Sequence, residues 1–442
     1  MFSVGFAALL RTTFDVPYAE QMIAAARTSL ESHGFRLVGG ADPVTDADAA
    51  IRCGHQLAEL EIDAVVVLQA TFADSTMVRA IAEQIDVPLL LWALPEPHTG
   101  GRLRLNSLCG INLGAHALRR AGLRYHTAYA DPSDPAVIAQ LDALVRANRI
   151  RRALSSARIG VIGEHPTGFD TCRYDAAELR ARLGVEVVPV PLRERVFADA
   201  RAVDAGAVDA LMTEMQGRLQ GITDDAPTRG TLATYAALEK IAGEEALNGC
   251  AVRCWPEFFT ELGCAACGAM SMLTDSGIPA SCEADVNGTI TQVILAQASG
   301  EAAFGSDIVS LDSARDALVL WHCGLAPLSM ADKAEQPKAT LHSNRRLPLL
   351  MDFMLKPGTV TVARLSEAGG EMRLVLGRGE IIRGEKPFSG TTGLIRFARP
   401  AQEVLGTILA EGLEHHIALT YGDHLPALLA LAQMLELPVL EL

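Results

Sequence analysis

The side chains that most clearly suggest chemistry lie in one segment, residues 281–327. Its polar clusters are Cys282-Glu283-Ala284-Asp285, Gly305-Ser306-Asp307 and Trp321-His322-Cys323-Gly324. Glu283 is expected to open a helix, whose dipole would stabilise a carboxylate. Asp307 is expected at the edge of an element, and His322 at the end of a buried strand, where open α/β proteins place their sites. Alone, each also fits a structural role, as a helix cap, a turn residue or a core histidine.

A second polar cluster lies near the end of the chain. It comprises Glu414-His415-His416 and Tyr421-Gly422-Asp423-His424. Adjacent residues of a strand point to opposite faces, so at most one of His415 and His416 is expected to face a given cavity. Surface polarity at a strand start is the plainer interpretation. Two carboxylates with one imidazole would form an oxygen-rich site that suits Mn²⁺, Mg²⁺ or Co²⁺ better than structural zinc.

Four cysteines offer a competing metal site. Cys250 and Cys254 form a C-x₃-C pair, and Cys264 and Cys267 form a C-x₂-C pair. Four thiolates with such spacing can hold zinc. The second pair lies within the apolar, helix-like run CAACGAMSML. Small buried thiols on a packed helix are therefore the favoured interpretation.

Alternating strands and helices must position these groups. Short apolar runs such as Ala64–Leu68 and Val87–Ala93 alternate with amphipathic stretches over the first 150 or so residues. Continuous apolar strands separated by helices indicate a parallel sheet covered on both faces. We predict an α/β domain over residues 1–152 and a second open α/β domain over residues 153–327. No G-x-G-x-x-G follows the first strand, so no dinucleotide is inferred.

The pattern changes after Pro327. Gly358–Leu365 and Glu371–Leu376 alternate with period two and are separated by glycines, which is typical of half-buried antiparallel strands. Residues 328–442 are therefore predicted to form a β-rich C-terminal domain. The predicted fold class is two consecutive open parallel-sheet α/β domains followed by this β-rich domain.

Composition excludes several classes of protein. The 442 residues include 53 acidic and 38 basic side chains, which gives a net charge of −15. Nucleic-acid and anionic-membrane binding require a basic surface, so neither partner is expected. No stretch reaches 18 uninterrupted apolar residues, so no membrane span is expected. Nine cysteines, an odd number, indicate reduced thiols and a cytoplasmic location.

Longer motifs in the same segments resemble the L-fucose isomerase/L-arabinose isomerase superfamily. They are Cys254-Trp255-Pro256-Glu257, GAMSMLTDSGIPASCEADVNG, VLWHCGLAP and the C-terminal HHIALTYGD. The N-terminal FDVPYAEQ and SLCGINLGAHALRRAG are compatible with the same family. The similarity covers most of the chain, and its specific motifs lie in residues 254–327 and 414–423.

The resemblance implies a metal-dependent aldose–ketose isomerase, usually with Mn²⁺, and with Mg²⁺ or Co²⁺ as alternatives. By motif, Glu283 and Asp307 match the two metal-binding carboxylates that also act as the acid/base pair, and His416 matches the third ligand. His322 matches a recurrent position near the site. His415 stands where fucose isomerases tend to have Asn, and Asp423 where they tend to have His, which leaves the substrate open.

The chemistry agrees with these residue types. Isomerisation moves a proton between C1 and C2 through an enediolate, whose charge a divalent metal can stabilise. The weaker candidates for substrate binding are Trp255 and His322, and Glu164, His165 and Arg173 in the loop after Ile162. Solvated loop residues are the plainer interpretation of the last three.

The predicted function is isomerisation of a pentose, a 6-deoxyhexose or a related modified sugar. The alternatives are a sugar epimerase on the same metal scaffold and a non-catalytic sugar-binding protein. The resemblance also implies a homo-oligomer, a trimer or hexamer. Arg11, Phe14 and Asp15, just after the first strand, are candidates to face a neighbour's site, or else simply form the first loop.

Overall fold

The structure, a computed structural model, describes residues 1–40 and 42–442. These residues divide into two units, 1–149 and 150–442. The predicted domain limits at residues 152 and 327 stay a prediction. The predicted fold class, two parallel-sheet α/β regions followed by a β-rich region, is confirmed.

A five-stranded parallel sheet, in the order β2-β1-β3-β4-β5, forms the core of the first unit. Its inner strands carry no exposed side chain, and β3 and β4 are buried along their whole length, as continuous apolar runs predict. The strands are β1 (Phe2–Leu9), β2 (Phe35–Val38), β3 (Ala64–Gln69), β4 (Leu89–Ala93) and β5 (His126–Tyr129). The helices are α1 (Val16–Ser32), α2 (Ala47–Ala58), α3 (Ser75–Ala82), α4 (Ser107–Arg120) and α5 (Pro135–Leu154).

The second unit begins with a four-stranded parallel sheet in the order β7-β6-β8-β9. The strands are β6 (Arg158–Ile162), β7 (Glu186–Val190), β8 (Gly249–Val252) and β9 (Ala280–Ser281). The helices are α6 (Ala176–Leu183), α7 (Ala198–Ala202), α8 (Ala205–Arg218), α9 (Ala226–Glu244), α10 (Ala266–Asp275) and α11 (Val286–Ser299). The last strand, β9, leads directly into the turn that carries Glu283, and α11 follows that turn.

A nine-stranded, mainly antiparallel sheet makes up the rest of the second unit. Its strands are β10 (Phe304–Asp312), β11 (Ala317–His322), β12 (Lys338–Thr340), β13 (Leu350–Met354), β14 (Gly358–Ser366), β15 (Arg373–Ile382), β16 (Thr391–Phe397), β17 (His416–Tyr421) and β18 (Val439–Glu441). The order is β12-β13-β16-β11-β10-β17-β14-β15-β18, and β15 also pairs with β16, which closes the inner strands into a barrel. The remaining helices are α12 (Ala401–Ala410) and α13 (Leu425–Leu435).

Two strands of this sheet come before Pro327. β10 carries Asp307 and β11 ends at His322, so the sheet begins inside the range predicted as the second α/β domain. Among the described residues, no helix combines the length and the apolar character needed to cross a membrane.

Candidate metal centre

Asp307 and His416 meet because neighbouring strands hold them opposite each other. β10 pairs with β17 in antiparallel register, with Asp307 directly across from His416. Cross-strand partners project to the same face of a sheet, and His416 Nε2 lies 3.5 Å from Asp307 Oδ1. The prediction that Asp307 lies at the edge of an element is wrong. Asp307 lies in the middle of β10 and pairs with β11 on one side and β17 on the other.

Glu283 reaches the same point from a strained turn. It has φ 58° and ψ 26°, and Ala284 follows with φ 54°, so two residues with side chains adopt the left-handed conformation in succession. Such strain clusters at functional sites. The Glu283 Oε2 atom lies 3.9 Å from His416 Nε2. The turn therefore aims this carboxylate at the histidine across from Asp307.

The helix-capping role expected for Glu283 belongs to Asp285 instead. The Asp285 carboxylate accepts a hydrogen bond from the Gly288 amide at the start of α11, at 2.8 Å. Glu283 precedes the helix and lies outside its first turn, so the helix dipole does not account for its position.

Asp285 also holds His416 in place. Its Oδ2 lies 2.9 Å from His416 Nδ1, which leaves Nε2 directed at Glu283 and Asp307. Arg364, on β14, donates to both oxygens of Asp285, at 2.5 and 3.1 Å, and its side chain is only 2% exposed. A carboxylate behind a histidine fixes both its tautomer and the orientation of its ring.

Charge in this buried network is balanced locally. Burial opposes ionisation of Asp285, but Arg364 and His416 outweigh it and hold the pKa of Asp285 well below its usual range. Burial likewise disfavours a charged His416, yet the hydrogen bond to Asp285 and the nearby carboxylates raise the pKa of His416. Asp285 is thus an anion at neutral pH, paired with Arg364 on one side and His416 on the other.

His415 also faces the site. Its Nε2 lies 3.0 Å from Glu283 Oε2, and its Nδ1 lies 2.8 Å from Thr171 Oγ1. The expectation that only one of His415 and His416 could face the cavity is therefore wrong. β17 begins at His416, so His415 lies outside the strand and the alternation rule does not apply to it.

An aromatic wall stands beside Glu283. Trp255 Nε1 donates to Glu283 Oε1 at 3.0 Å, as its place in the motif led us to expect near the site. Phe169 packs edge-on against both Trp255 and His415, with ring centroids 5.4 and 6.0 Å apart. Burial opposes ionisation of Glu283, but hydrogen bonds from His415 and Trp255 hold its pKa below the usual value.

His322 lies behind His416 and is fully packed. The two rings stack with centroids 5.9 Å apart, and His322 Nδ1 accepts a hydrogen bond from the Cys323 amide. Burial, together with neighbouring histidines, lowers the pKa of His322 far below its usual value, so the ring is neutral. His322 therefore supports the site from behind.

The loop after β6 contributes different residues from those predicted. Glu164 is exposed, and the backbone carbonyls of Glu164 and His165 accept from Arg253. Arg173 is 72% exposed and lies 3.9 Å from Asp170. No described contact links the side chains of these three residues to Glu283. Instead Phe169, Thr171 and Cys172 of the same loop approach the site.

One buried carboxylate oxygen of the site accepts no hydrogen bond from the described residues. Asp307 Oδ1 is buried and accepts no hydrogen bond, and burial raises the pKa of Asp307. A buried carboxylate normally has a hydrogen-bond donor or a cation beside it. Glu283, Asp307 and His416 would hold a divalent cation, which would supply Asp307 with the partner that no described hydrogen bond provides.

A second ligand set overlaps with the first. Ligand atoms of Cys172, Glu283, His415 and His416 all lie within 4.8 Å of one another. Burial and the nearby carboxylates raise the pKa of the Cys172 thiol far above its usual value, which disfavours the thiolate. Glu283 and His416 belong to both sets. Asp307 belongs only to the first set, and Cys172 and His415 belong only to the second.

The cysteines considered for zinc are buried thiols. Within the described parts of the chain, Cys254 lies against Cys282 and Cys267 against Cys323, with Sγ–Sγ distances of 2.7 and 3.1 Å. Burial raises the pKa of Cys250 to about 12 and that of Cys264 to about 11. The four cysteines of the two sequence pairs do not form one ligand cluster there.

Two family models match the chain. Residues 5–155 match the fucose/sulfoquinovose isomerase N-terminal domain, and residues 320–442 match the L-fucose isomerase C-terminal domain. The chain belongs to the L-fucose isomerase-like superfamily. The resemblance given by residues 254–327 and 414–423 is thereby confirmed.

Several sulfoquinovose isomerases are similar to this chain over 84% or more of its length. A sulfoquinovose isomerase of Alkalicoccus urumqiensis is 35% identical over 86% of this chain and 86% of its own. The enzyme from Priestia aryabhattai is 32% identical over 97% of this chain and 96% of its own length. The enzyme from Clostridium sp. (strain MSTE9) is 32% identical over 84% of this chain and 85% of its own length. The chain is therefore a sugar aldose–ketose isomerase, as predicted.

Several residues of the site were not predicted from the sequence. Asp285 lies two residues after Glu283 in the same motif, and this proximity was the available sign that it belongs to the site. Arg364 was visible as a lone charge within the alternating run GTVTVARL. Phe169, Thr171 and Cys172 offered no comparable signal, because only the folded loop brings them to Glu283.

Proposed function

We propose that this isomerase converts sulfoquinovose, a glucose derivative with a sulfonate on carbon 6, to the corresponding ketose, with a bound divalent metal. Support for the substrate comes from the relatives, which are named sulfoquinovose isomerases. Each of them matches 84% or more of this chain. The substrate falls within the class expected from sequence, a modified 6-deoxyhexose.

The observation that carries the metal proposal is the buried Asp307 Oδ1, which accepts no hydrogen bond within the described chain and faces His416 Nε2 at 3.5 Å. Glu283, Asp307 and His416 would hold the ion, and their hard oxygen-rich donor set favours Mn²⁺, with Mg²⁺ or Co²⁺ as alternatives. When bound, the metal would act as a Lewis acid that stabilises negative charge on the two sugar oxygens.

Glu283 is suited to carry the proton between C2 and C1. Trp255 Nε1 holds Oε1, and the turn directs Oε2 toward the site. A carboxylate with one oxygen held and the other free can take a proton from one carbon and return it to the next. The intermediate in such a transfer is an enediolate.

Asp307 is suited to move the hydroxyl proton that must shift between the two sugar oxygens. It lies on the strand opposite His416, so its position relative to Glu283 is fixed by the backbone of the barrel. His416 is held by Asp285, which keeps the three side chains converging. This assignment keeps the two carboxylates as the acid/base pair expected from sequence.

Chelation tests the metal proposal. Dialysis against a chelator should abolish conversion of sulfoquinovose, and Mn²⁺ should restore it. Full activity in protein shown by elemental analysis to be metal-free would contradict the proposal. NMR of the product distinguishes the reactions, because a ketose supports isomerisation and a C2 epimer would support the epimerase alternative.

We also propose that the protein is a homo-oligomer, a trimer or hexamer, as the family resemblance implies. We propose a cytoplasmic location, which the nine free cysteines support. Arg11 and Asp15 already bind within their own unit, to Asp74 and Arg104 respectively. Sedimentation at micromolar concentration tests the assembly, and a fully active monomer would contradict it.

A further inference from the structure

We propose that Arg345 binds the sulfonate of the substrate and so sets the enzyme's preference for an anionic sugar. This inference rests on the proposed function. It adds a subsite next to the metal centre and names the side chain that would distinguish sulfoquinovose from its neutral counterpart.

Arg345 lies one aromatic ring away from Glu283. Its guanidinium carbon is 4.9 Å from the centroid of the Trp255 ring and 5.1 Å from that of Phe259. The same Trp255 donates its indole N–H to Glu283 Oε1. One side chain therefore touches the proposed base at its edge and the guanidinium at its face. In this proposal, a sugar that reacts at C1 and C2 beside Glu283 directs its sulfonate-bearing end toward Trp255 and Arg345.

The guanidinium has no anionic partner. Among residues 1–40 and 42–442, no carboxylate oxygen lies within 4.0 Å of it, and its one polar side-chain neighbour is His342 Nε2, at 3.5 Å. His342 Nδ1 accepts from the Asn344 and Arg345 amides. Burial and the positive charge of Arg345 lower the pKa of His342 to about 4, so the ring is neutral. Its proton then occupies Nε2, which cannot accept from Arg345.

Other cations near the site are already paired. Arg364 is buried and binds both oxygens of Asp285. Arg253 donates to Glu257 and to two backbone carbonyls. Arg345 differs from both because no carboxylate of the described residues binds it, so its N–H groups remain available, and unlike Arg364 it is partly exposed. A planar guanidinium matches an oxyanion through parallel hydrogen bonds, which lysine cannot reproduce.

The loop that carries Arg345 is anchored at both ends. The His342 amide donates to the Leu347 carbonyl, and the Arg346 amide donates to the His342 carbonyl. Beyond the loop, Thr231 Oγ1 accepts from the Leu349 amide at 3.1 Å. The His342 ring packs edge-on against Phe259 at 5.1 Å. A cation held in position before the ligand arrives binds at a lower entropic cost.

Charge explains why such a group is needed. Arg364 and His416 balance Asp285, but Glu283 and Asp307 remain in the site, and the whole chain carries a net charge of −15. A sulfonate approaching these groups is repelled unless a cation faces it. Arg345, stacked on Trp255, provides that cation.

The test compares two substrates and three variants. Wild type, Arg345→Gln, Arg345→Lys and the control Arg346→Gln are assayed in Mn²⁺ with sulfoquinovose and with 6-deoxy-D-glucose, which has the same hydroxyls but no sulfonate. Arg346 is the exposed neighbouring cation, and no described contact joins it to the site. Arg345→Gln should lower kcat/KM for sulfoquinovose about 10- to 100-fold, mostly through KM, because a charge-assisted bond is lost.

The same variant should leave kcat/KM for 6-deoxy-D-glucose unchanged, and Arg346→Gln should resemble wild type with both substrates. Arg345→Lys should recover part of the loss. An equal loss with both substrates would show that Arg345 only supports Trp255, and no loss would also overturn the inference. Wild-type enzyme that converts neutral sugars but not sulfoquinovose would refute the proposed substrate, and this subsite with it.

Discussion

Asp307 and His416 are carried by neighbouring strands, whereas Glu283 and His415 are carried by turns. On the strand side, a ladder of backbone hydrogen bonds within a closed barrel fixes the distance between the two side chains. On the turn side, Glu283 depends on two successive left-handed residues and on bonds from Trp255 and His415. The comparison suggests that the strand side is rigid before any ligand binds, and that the turn side is held by side chains.

The two sides also differ in how they are supported. Behind His416 lies the buried pair Asp285 and Arg364, whose bonds hold a strand residue to the start of α11. In front of Glu283 lies the partly exposed wall of Trp255 and Phe169. Loss of a support should therefore cost stability on the strand side and activity on the turn side.

The largest effect is expected for Glu283→Gln. The variant retains an oxygen that can accept from Trp255 but loses the ionised base, so turnover of sulfoquinovose should fall about 10⁴-fold or more. Circular dichroism should show an unchanged fold. Activity within 10-fold of wild type would exclude Glu283 as the base.

The next effect concerns stability. Arg364→Leu would leave the buried Asp285 with His416 as its remaining side-chain partner and would remove the cation beside Glu414, which should cost about 3 to 5 kcal/mol in the free energy of unfolding. Arg378→Leu is a matched control, because it removes an arginine that is 59% exposed and pairs with Asp423. That control should cost about 1 kcal/mol or less. Equal losses in urea unfolding would contradict the proposed support of the strand side.

The smallest effect compares the two adjacent histidines. His416→Ala removes a proposed ligand, so Mn²⁺ binding should weaken and excess Mn²⁺ should recover part of the activity. His415→Ala removes only a partner of Glu283, so Mn²⁺ affinity should fall about 10-fold, the low end for a residue that orients a ligand. Calorimetric titration measures both. A larger loss for His415→Ala than for His416→Ala would reverse the comparison.

The sequence predicted the fold well where periodicity was strong. Continuous apolar runs located β3 and β4, and period-two alternation located β14. Periodicity could not place Asp307 correctly, and we expected it at the edge of an element. Its place in the middle of β10 depends on pairing with β17, which lies more than 100 residues further along the chain. β9 has two residues, too few for any period, yet it positions Glu283.

The motif resemblance named Glu283, Asp307 and His416, and in the structure Glu283 and Asp307 lie 3.9 and 3.5 Å from His416 Nε2. It could not name their partners equally well. His415 joins the site because a strand begins one residue later than alternation assumed, and Thr171 and Cys172 join it through a loop whose path no sequence pattern encodes. Arg345 was missed because its role depends on stacking against Trp255.

The central claim is that strand-borne Asp307 shares a divalent metal with Glu283 and His416. Electron paramagnetic resonance of Mn²⁺ titrated into wild type, Asp307→Asn and Cys172→Ser tests it directly, because Cys172 belongs only to the competing ligand set. We predict that wild type and Cys172→Ser bind one ion per chain with similar affinity and that Asp307→Asn binds it much more weakly. Retained binding in Asp307→Asn, with loss in Cys172→Ser, would contradict the claim and place the metal on the turn side.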